Sequence, residues 1–282
     1  MIMNVNLMSY KIDLHIHSNH SDSSFDPKEI IDEAAKKNMI AVAIADHDTF
    51  TATPELQAYA RSKSITLIPS IEVSCMDETT GRKVHILAYG FNDQHTHLNE
   101  LLEPFKKHLT EQRLKLLIPL NDMGFEISQE EVLKNEILYK HDIALVMEKK
   151  GYGNYKELFT QYFYGPTSLE QLYPITFNDV KSVIDAIHLD GGIAVLAHPR
   201  TYNTFNEIEK YIEWGIDGVE ICHPSFIEGD LERIIDYPLL HFGGSDCHGK
   251  LNISRKRDIG DYGITEEDYL KIKDFICIDI HD

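Results

Sequence analysis

K-I-D-L-H-I-H, residues 11–17, decides how the rest of the chain is read. Ile12, Leu14 and Ile16 alternate with Asp13, His15 and His17, the period of two that a β-strand imposes on its side chains. His15 and His17 therefore leave the backbone on one face and can grip a single ion. Two histidines on an exposed edge strand would show the same alternation, so the companions decide. They are Asp22, Asp46-His47-Asp48, Glu72, His85, His198-Pro199 and Asp246-Cys247-His248. Most of them end a short apolar run: 40–45 before Asp46, 65–71 before Glu72, 192–197 before His198 and 241–245 before Asp246. Six histidines (15, 17, 47, 85, 198, 248) and three carboxylates (Asp22, Glu72, Asp246) thus collect, nearly all of them, at predicted strand ends. Imidazole with carboxylate suits divalent ions such as Zn, Mn or Fe, and needs no cysteine.

The apolar runs, together with 84–91 and 217–221, give about seven strands separated by helix-length segments. That pattern predicts βαβ units, a parallel sheet, and functional groups gathered where strands end. His85 breaks the rule, because it lies near the start of its run, which a regular barrel would not produce.

The stretches DLHIHSNHSD (13–22), IADHDTF (44–50), IPSIEVS (68–74), VHILAYGF (84–91), VLAHPR (195–200) and GGSDCH (243–248) resemble the PHP (polymerase and histidinol phosphatase) metallophosphoesterases. The resemblance implies a distorted (β/α)7 TIM-like barrel holding two or three divalent ions, Mn, Fe or Zn. It implies His15, His17 and Asp246 as ligands of a first metal and Glu72 as the bridge to a second. His85 and His198 would complete the second, and Asp22, His47 and His248 would hold a third. All nine positions carry the expected residue types, which argues against a metal-binding regulatory domain without turnover. Ser23 stands where the family often has glycine, which bears on loop geometry.

Such ions lower the pKa of a bound water toward about 7 and can hold phosphate oxygens, so metal-bound water is the expected attacking group. Asp13 and Asp48 stand beside ligands and are read either as orienting imidazoles or as ordinary strand-end acceptors. Arg200 follows His198-Pro199 and either reaches a metal-held phosphate or forms a surface ion pair. His223, just past 219–221, either touches substrate or caps its loop, and His20 either lines the entrance or is a solvated loop residue. The second H-x-H, His95 and His97, lies in a polar loop and is read as surface.

With 27 basic and 46 acidic side chains the net charge is −19, a poor footprint for duplex nucleic acid. A small phosphorylated substrate, a nucleotide or a short single-stranded nucleic-acid end fits better. Cys75, Cys222, Cys247 and Cys277 show no metal-type spacing, and Cys247 is read as a small buried residue. Residues 1–10 lack the pattern of a secretory leader, and no apolar run reaches membrane-spanning length. Reduced thiols in a cytoplasm are the expectation.

Residues 99–175 differ in character. Leu98, Leu101, Leu102, Phe105 and Leu109 recur at helical spacing, 121–124 breaks the pattern, and helices are expected over 129–138, 141–149 and 155–164. The expected organisation is a barrel from 1–98 and 176–282, with 99–175 an inserted helical lid selecting what lies beyond the phosphate. The nucleotide and RNA-end branch of the family carries a helical insertion here, with a segment often reading Arg-x-His. In the comparable stretch, 139–144, Lys140 replaces the arginine and Asp142 the histidine, and lysine loses the bidentate phosphate geometry. The expected activity is hydrolysis of a nucleotide phosphomonoester, such as a nucleoside 3′,5′-bisphosphate, or trimming of a nucleic-acid 5′ end. Histidinol-phosphate phosphatase is the runner-up, and hydrolysis of a C–N bond a third possibility.

Overall fold

The computed structural model describes residues 10–91, 94–252 and 257–278. Of the leader reading over 1–10, residues 1–9 lie outside the described residues. The chain divides into two compact units, 1–99 with 178–282, and 100–177.

In the first unit, β1 (Ile12–Ile16), β2 (Ala41–Ile44) and β3 (Thr66–Ile68) pair parallel, in that order. β4 (Ser70–Asp77), β5 (Arg82–Tyr89), β6 (Asn178–Asp179), β7 (Ile193–Leu196), β8 (Gly218–Cys222) and β9 (Leu240–Gly243) form a second sheet, ordered β6-β4-β5-β7-β8-β9. Helices α1 (Pro27–Lys36), α2 (Pro54–Ser62), α8 (Val180–Leu189), α9 (Pro199–Tyr202), α10 (Ile208–Glu213) and α11 (Glu266–Ile276) lie between or after the strands; α3 begins at Thr96 and ends at Lys115. The architecture is mixed α/β with parallel pairing, as expected, and the described strands lie in two sheets of three and six strands.

Two local causes stand out. Pro69 has no N–H to give a ladder, and at Pro69 the apolar run 65–71 splits into β3 and β4, which join different sheets. Glu72 therefore sits within β4 and not at a strand end. β5 is antiparallel to both β4 and β7, while β7, β8 and β9 pair parallel. A reversed strand puts its first residues where its neighbours put their last, which is why His85 joins the other donors from the start of its run.

The strands are covered on both sides. Leu14, Ala43, Leu87, Val195 and Phe242 pack into one core, and Ile16, Val42, Ile44 and Leu67 pack with Ile30, Ile31 and Leu56 of α1 and α2 into another. β1 is wholly buried, polar face included. α1 starts at a capping box: Asp26 accepts from Lys28 N, and Glu29 accepts from Asp26 N at 3.0 Å. His97 is half exposed, as expected of a surface residue, and pairs with a carboxylate that the sequence did not suggest. Asp190 accepts from its ring nitrogen at 2.8 Å and from the backbone N of His97 and Leu98 at the start of α3.

The second unit contains most of α3, α4 (Leu117–Asp122), α5 (Gln129–Val132), α6 (Lys140–Lys149) and α7 (Tyr155–Phe163). The helix expected over 129–138 stops at Val132. Ile137 and Tyr139 instead pack irregular backbone against Phe105 and Leu109, and Leu138 N donates to Thr110 Oγ1 at 3.2 Å.

Candidate metal centre

Glu72 is buried, and its two oxygens face two different sets of imidazoles. Oε1 lies 2.8 Å from His85 Nδ1 and 2.7 Å from His198 Nε2. Oε2 lies 3.3 Å from Nε2 of both His15 and His17 and 3.0 Å from His47 Nδ1. His15 Nε2 and His17 Nε2 are 3.1 Å apart, and Asp246 Oδ1 is 3.2 Å from the latter and 3.8 Å from the former. Donors about 2.0–2.2 Å from one tetrahedral ion stand roughly 3–3.5 Å from each other, the spacing found here. Asp22 gathers a further set: Oδ1 is 3.1 Å from His248 Nε2 and 3.6 Å from His17 Nδ1, and Oδ2 is 3.7 Å from His47 Nε2.

These donors fit divalent cations on an observation of their own. Glu72 Oε2, His17 Nδ1 and His198 Nδ1 are buried without a properly formed hydrogen bond, a costly state for polar atoms unless something else satisfies them. Grouped by reach, His15, His17 and Asp246 could hold one ion, His17, Asp22, His47 and His248 another, and Glu72 joins His47 with His85 and His15 with His198.

The electrostatics agree at Glu72, Asp246 and His85, whereas His17 would have to give up a proton to bind an ion. Burial pushes Glu72 up, but His85, His47 and His15 outweigh it and hold the carboxylate well below its usual range. Asp246 is likewise held down, against burial, by His248, His17 and His223. Burial lowers His85 to about 4, leaving it the neutral imidazole a metal requires. At His17 burial opposes charge, yet hydrogen bonds to Asp246 and Glu72 raise it to about 10.

The other expected residues divide. Asp13 orients no imidazole. It accepts from the backbone N of His15, Ser245 and Gly260, and burial still raises it to about 6. Asp48 accepts from Ser74 N at 2.8 Å and is raised by burial to about 7, so it too is a backbone acceptor. Arg200 makes a two-pronged pair with Asp230, the ion-pair alternative. Lys140 pairs with Glu170, which also accepts from Arg113, so it is engaged within the helical unit. His20 contacts Thr51 Oγ1 at 3.2 Å in an exposed loop. His223 does reach the centre. Its Nε2 is 3.2 Å from Asp246 Oδ2, while Nδ1 caps its own loop through Ser225. Cys247 is fully buried, as expected. Ser23 takes no left-handed backbone, so glycine is not needed there.

Three contributors were missed, and a fourth, Asp46, was named beside His47 without a role. Glu220 Oε1 lies 3.1 Å from His15 Nδ1. Tyr202 Oη is 3.1 Å from His85 Nε2. Arg257 donates to the Asp246 carboxylate and carbonyl. Asp46 accepts from Ser18, Ser21 and Thr51 hydroxyls and from Ser18 N, fixing the loop that carries Asp22. Asp46 and Glu220 were legible as charged residues next to an apolar run, although only the fold shows what they hold.

Fold and donors together define a class: a mixed α/β protein whose His, Asp and Glu groups are of the kind that hold divalent metals. The PHP domain model matches residues 13–217, and the chain belongs to that family. It is accordingly a metal-dependent phosphoester hydrolase. The chain is 29% identical over 248 residues to the phosphoribosyl 1,2-cyclic phosphate 1,2-diphosphodiesterase of Eggerthella lenta, covering 84% of this chain and 94% of that protein. It is 26% identical to a 5′-3′ exoribonuclease of Haemophilus influenzae, covering 90% and 97%. A solved structure from Bifidobacterium adolescentis, assigned as a metal-dependent phosphoesterase, shares the fold with a TM-score of 0.81 at 23% identity, over 93% of this chain and 95% of that one.

Proposed function

We propose that this chain hydrolyses a phosphomonoester of a nucleotide, such as a nucleoside 3′,5′-bisphosphate, or removes nucleotides from a nucleic-acid 5′ end, with two or three Mn, Fe or Zn ions. The observation that carries the reading is Glu72, whose two oxygens each face separate imidazole sets, as a carboxylate shared by two cations requires. Such ions, when bound, activate water near neutral pH and neutralise charge on phosphoryl oxygens. His15, His17 and Asp246 would hold the first, Glu72, His85 and His198 the second, and Asp22, His47 and His248 the third. Around them the protein orients: Glu220 faces His15, Tyr202 faces His85, and His223 with Arg257 occupies the outer oxygen of Asp246. The Haemophilus relative, by its name an exoribonuclease, supports the 5′-end option; the Eggerthella relative, by its name a cyclic-phosphate diphosphodiesterase, supports testing a cyclic phosphodiester as well.

The same reading takes the two sheets as halves of a distorted (β/α)7 barrel, supported by parallel bridges His47–Glu72 and Ile16–Cys247 between them. It takes 100–177 as the unit that selects the group beyond the phosphate, on the strength of its place in the chain between β5 and β6. Free cysteines at 75, 222, 247 and 277 support a reducing cytoplasm. Among the described residues, no helix is long and apolar enough to cross a membrane.

The test is product formation by metal-free protein reloaded separately with Mn, Fe or Zn. Substrates are a nucleoside 3′,5′-bisphosphate, a 5′-phosphorylated oligoribonucleotide, a ribose 1,2-cyclic phosphate and histidinol phosphate, and a His15→Ala, His17→Ala protein is the control. Turnover of either of the first two, lost in the control, supports the proposal. Preference for the cyclic ester or for histidinol phosphate replaces it with that activity, and no turnover with any metal removes it.

A further inference from the structure

Glu220 sits in the middle of β8 with no exposure to solvent, and its two oxygens are spent on different partners. Oε1 lies 3.1 Å from His15 Nδ1, and Oε2 accepts from the backbone N of His198 at 2.7 Å. A carboxylate has no hydrogen to give, so His15 must carry its proton on Nδ1. In the neutral imidazole that a metal requires, that choice puts the lone pair on Nε2, which faces His17 Nε2 and Glu72 Oε2. The second contact restrains a different residue in a different way. His198 has φ 27° and ψ 63°, the left-handed region that a side chain other than glycine enters only under restraint. It is followed by Pro199, which cannot donate, so the His198 N–H is a fixed point of this turn.

We propose that Glu220 is the positioning residue that sets two metal ligands at once: the tautomer of His15 and the backbone pose of His198. The proposal rests on the metal-centre reading above. It assigns to one buried carboxylate a link between the donor set built on His15 and the set built on His198.

An amide at this position offers one acceptor and one donor where the site demands two acceptors. Glu220→Gln is nearly the same size, so packing survives, but one of two errors follows. If the amide N–H faces His15, it forces the proton onto Nε2 and blocks that ligand. If it faces the His198 N–H, two donors oppose each other and the turn loses its restraint.

Titration of the metal-free protein with Mn or Zn, followed by calorimetry and by metal content after gel filtration, reads this directly and without activity. Wild type should bind at least two ions, and Glu220→Gln should bind at least one of them about tenfold or more weakly, the range seen when a ligand's outer partner is removed. Thermal melting of both metal-free proteins shows whether the variant still folds. Should Glu220→Gln fail to fold, Glu220→Asp, which keeps the charge but is one methylene too short to reach both partners, takes its place in the same titration. A variant that folds and binds every ion within twofold of wild type overturns the proposal. Wild-type protein that binds no divalent ion overturns the metal-centre reading instead, so the two failures are distinguishable.

Discussion

At the scale of single residues, the centre depends on carboxylates whose oxygens are divided between partners. Glu72 is the extreme case, with Oε1 facing two imidazoles and Oε2 three. Glu72→Gln should keep the shape and lose the charge two cations would share. Product formation should fall on the order of a hundredfold to a thousandfold, the several kcal/mol of charge stabilisation attributed to bound metal. Steady-state kinetics with saturating metal checks this; activity within threefold of wild type would remove Glu72 from the centre. The two readings that sequence left open at this scale are decided by one cause. Asp13 and Asp48 stand beside ligands in the chain, yet their oxygens turn to backbone N–H groups from other segments. Adjacency in sequence fixes which residues are near, not which atoms meet.

At the scale of elements, two contacts hold β-strands where the donors need them. Gly244, just after β9, passes so close to β1 that an added Cβ would stand 2.4 Å from both His15 N and His15 Cβ. Gly244→Ala must push β1 away, costing about 1–3 kcal/mol as for other overpacking, and should weaken metal binding as well as folding. Denaturant melts with and without metal test this, and an unchanged midpoint would show that β1 is freer than its packing implies. The turn from β4 into β5 is held at Asp77, which accepts from Thr79 N, Thr79 Oγ1, Tyr211 Oη and Lys210 Nζ of α10. Burial would raise this carboxylate, but the bond from Lys210, with those from Thr79, Thr80 and Tyr211, lowers it from 3.8 to about 2. A depressed carboxylate stabilises the fold above its unfolded pKa, so the contribution, about 2 kcal/mol, is present above pH ~4 and is lost as pH falls toward ~2. In metal-free Asp77→Asn, stability should vary less with pH across that window. A slope equal to wild type would mean the turn does not sense this charge.

At the scale of the whole molecule, a centre with buried unsatisfied donors should be most stable when filled. A ligand present at a hundred times its Kd adds about 2.7 kcal/mol, roughly 5–10 °C in Tm for a chain of this size class. Chelation should therefore lower the melting temperature of wild type and leave the His15→Ala, His17→Ala protein nearly unmoved. Equal melting of chelated and reloaded wild type would count against metal binding. The acidic total, −19, sets a second property of the whole chain. Long-range attraction of a polyanion is not expected, and because salt screens the repulsion of an anionic phosphoester, turnover at low substrate should rise modestly with ionic strength.

Much of the centre was written in the sequence because its donors come in short blocks beside apolar runs. Alternation in 11–17 put His15 and His17 on one face, and a strand has no other way to place residues two apart. The apolar runs also located most strands, because strands covered on both faces carry mostly apolar side chains, whereas β1, buried with Asp13 and His15, was legible from its alternation. What sequence could not determine was direction and partner. A short apolar run reads the same in either sense, so the reversal of β5 that brings His85 to the donors appears only when β4 and β7 pair with it. Local signals did not carry the break at Pro69, which sent β3 and β4 to different sheets, into the strand count. Glu220 lies far from His15 and His198 in sequence, and only packing β8 against its neighbours gave its two oxygens their partners.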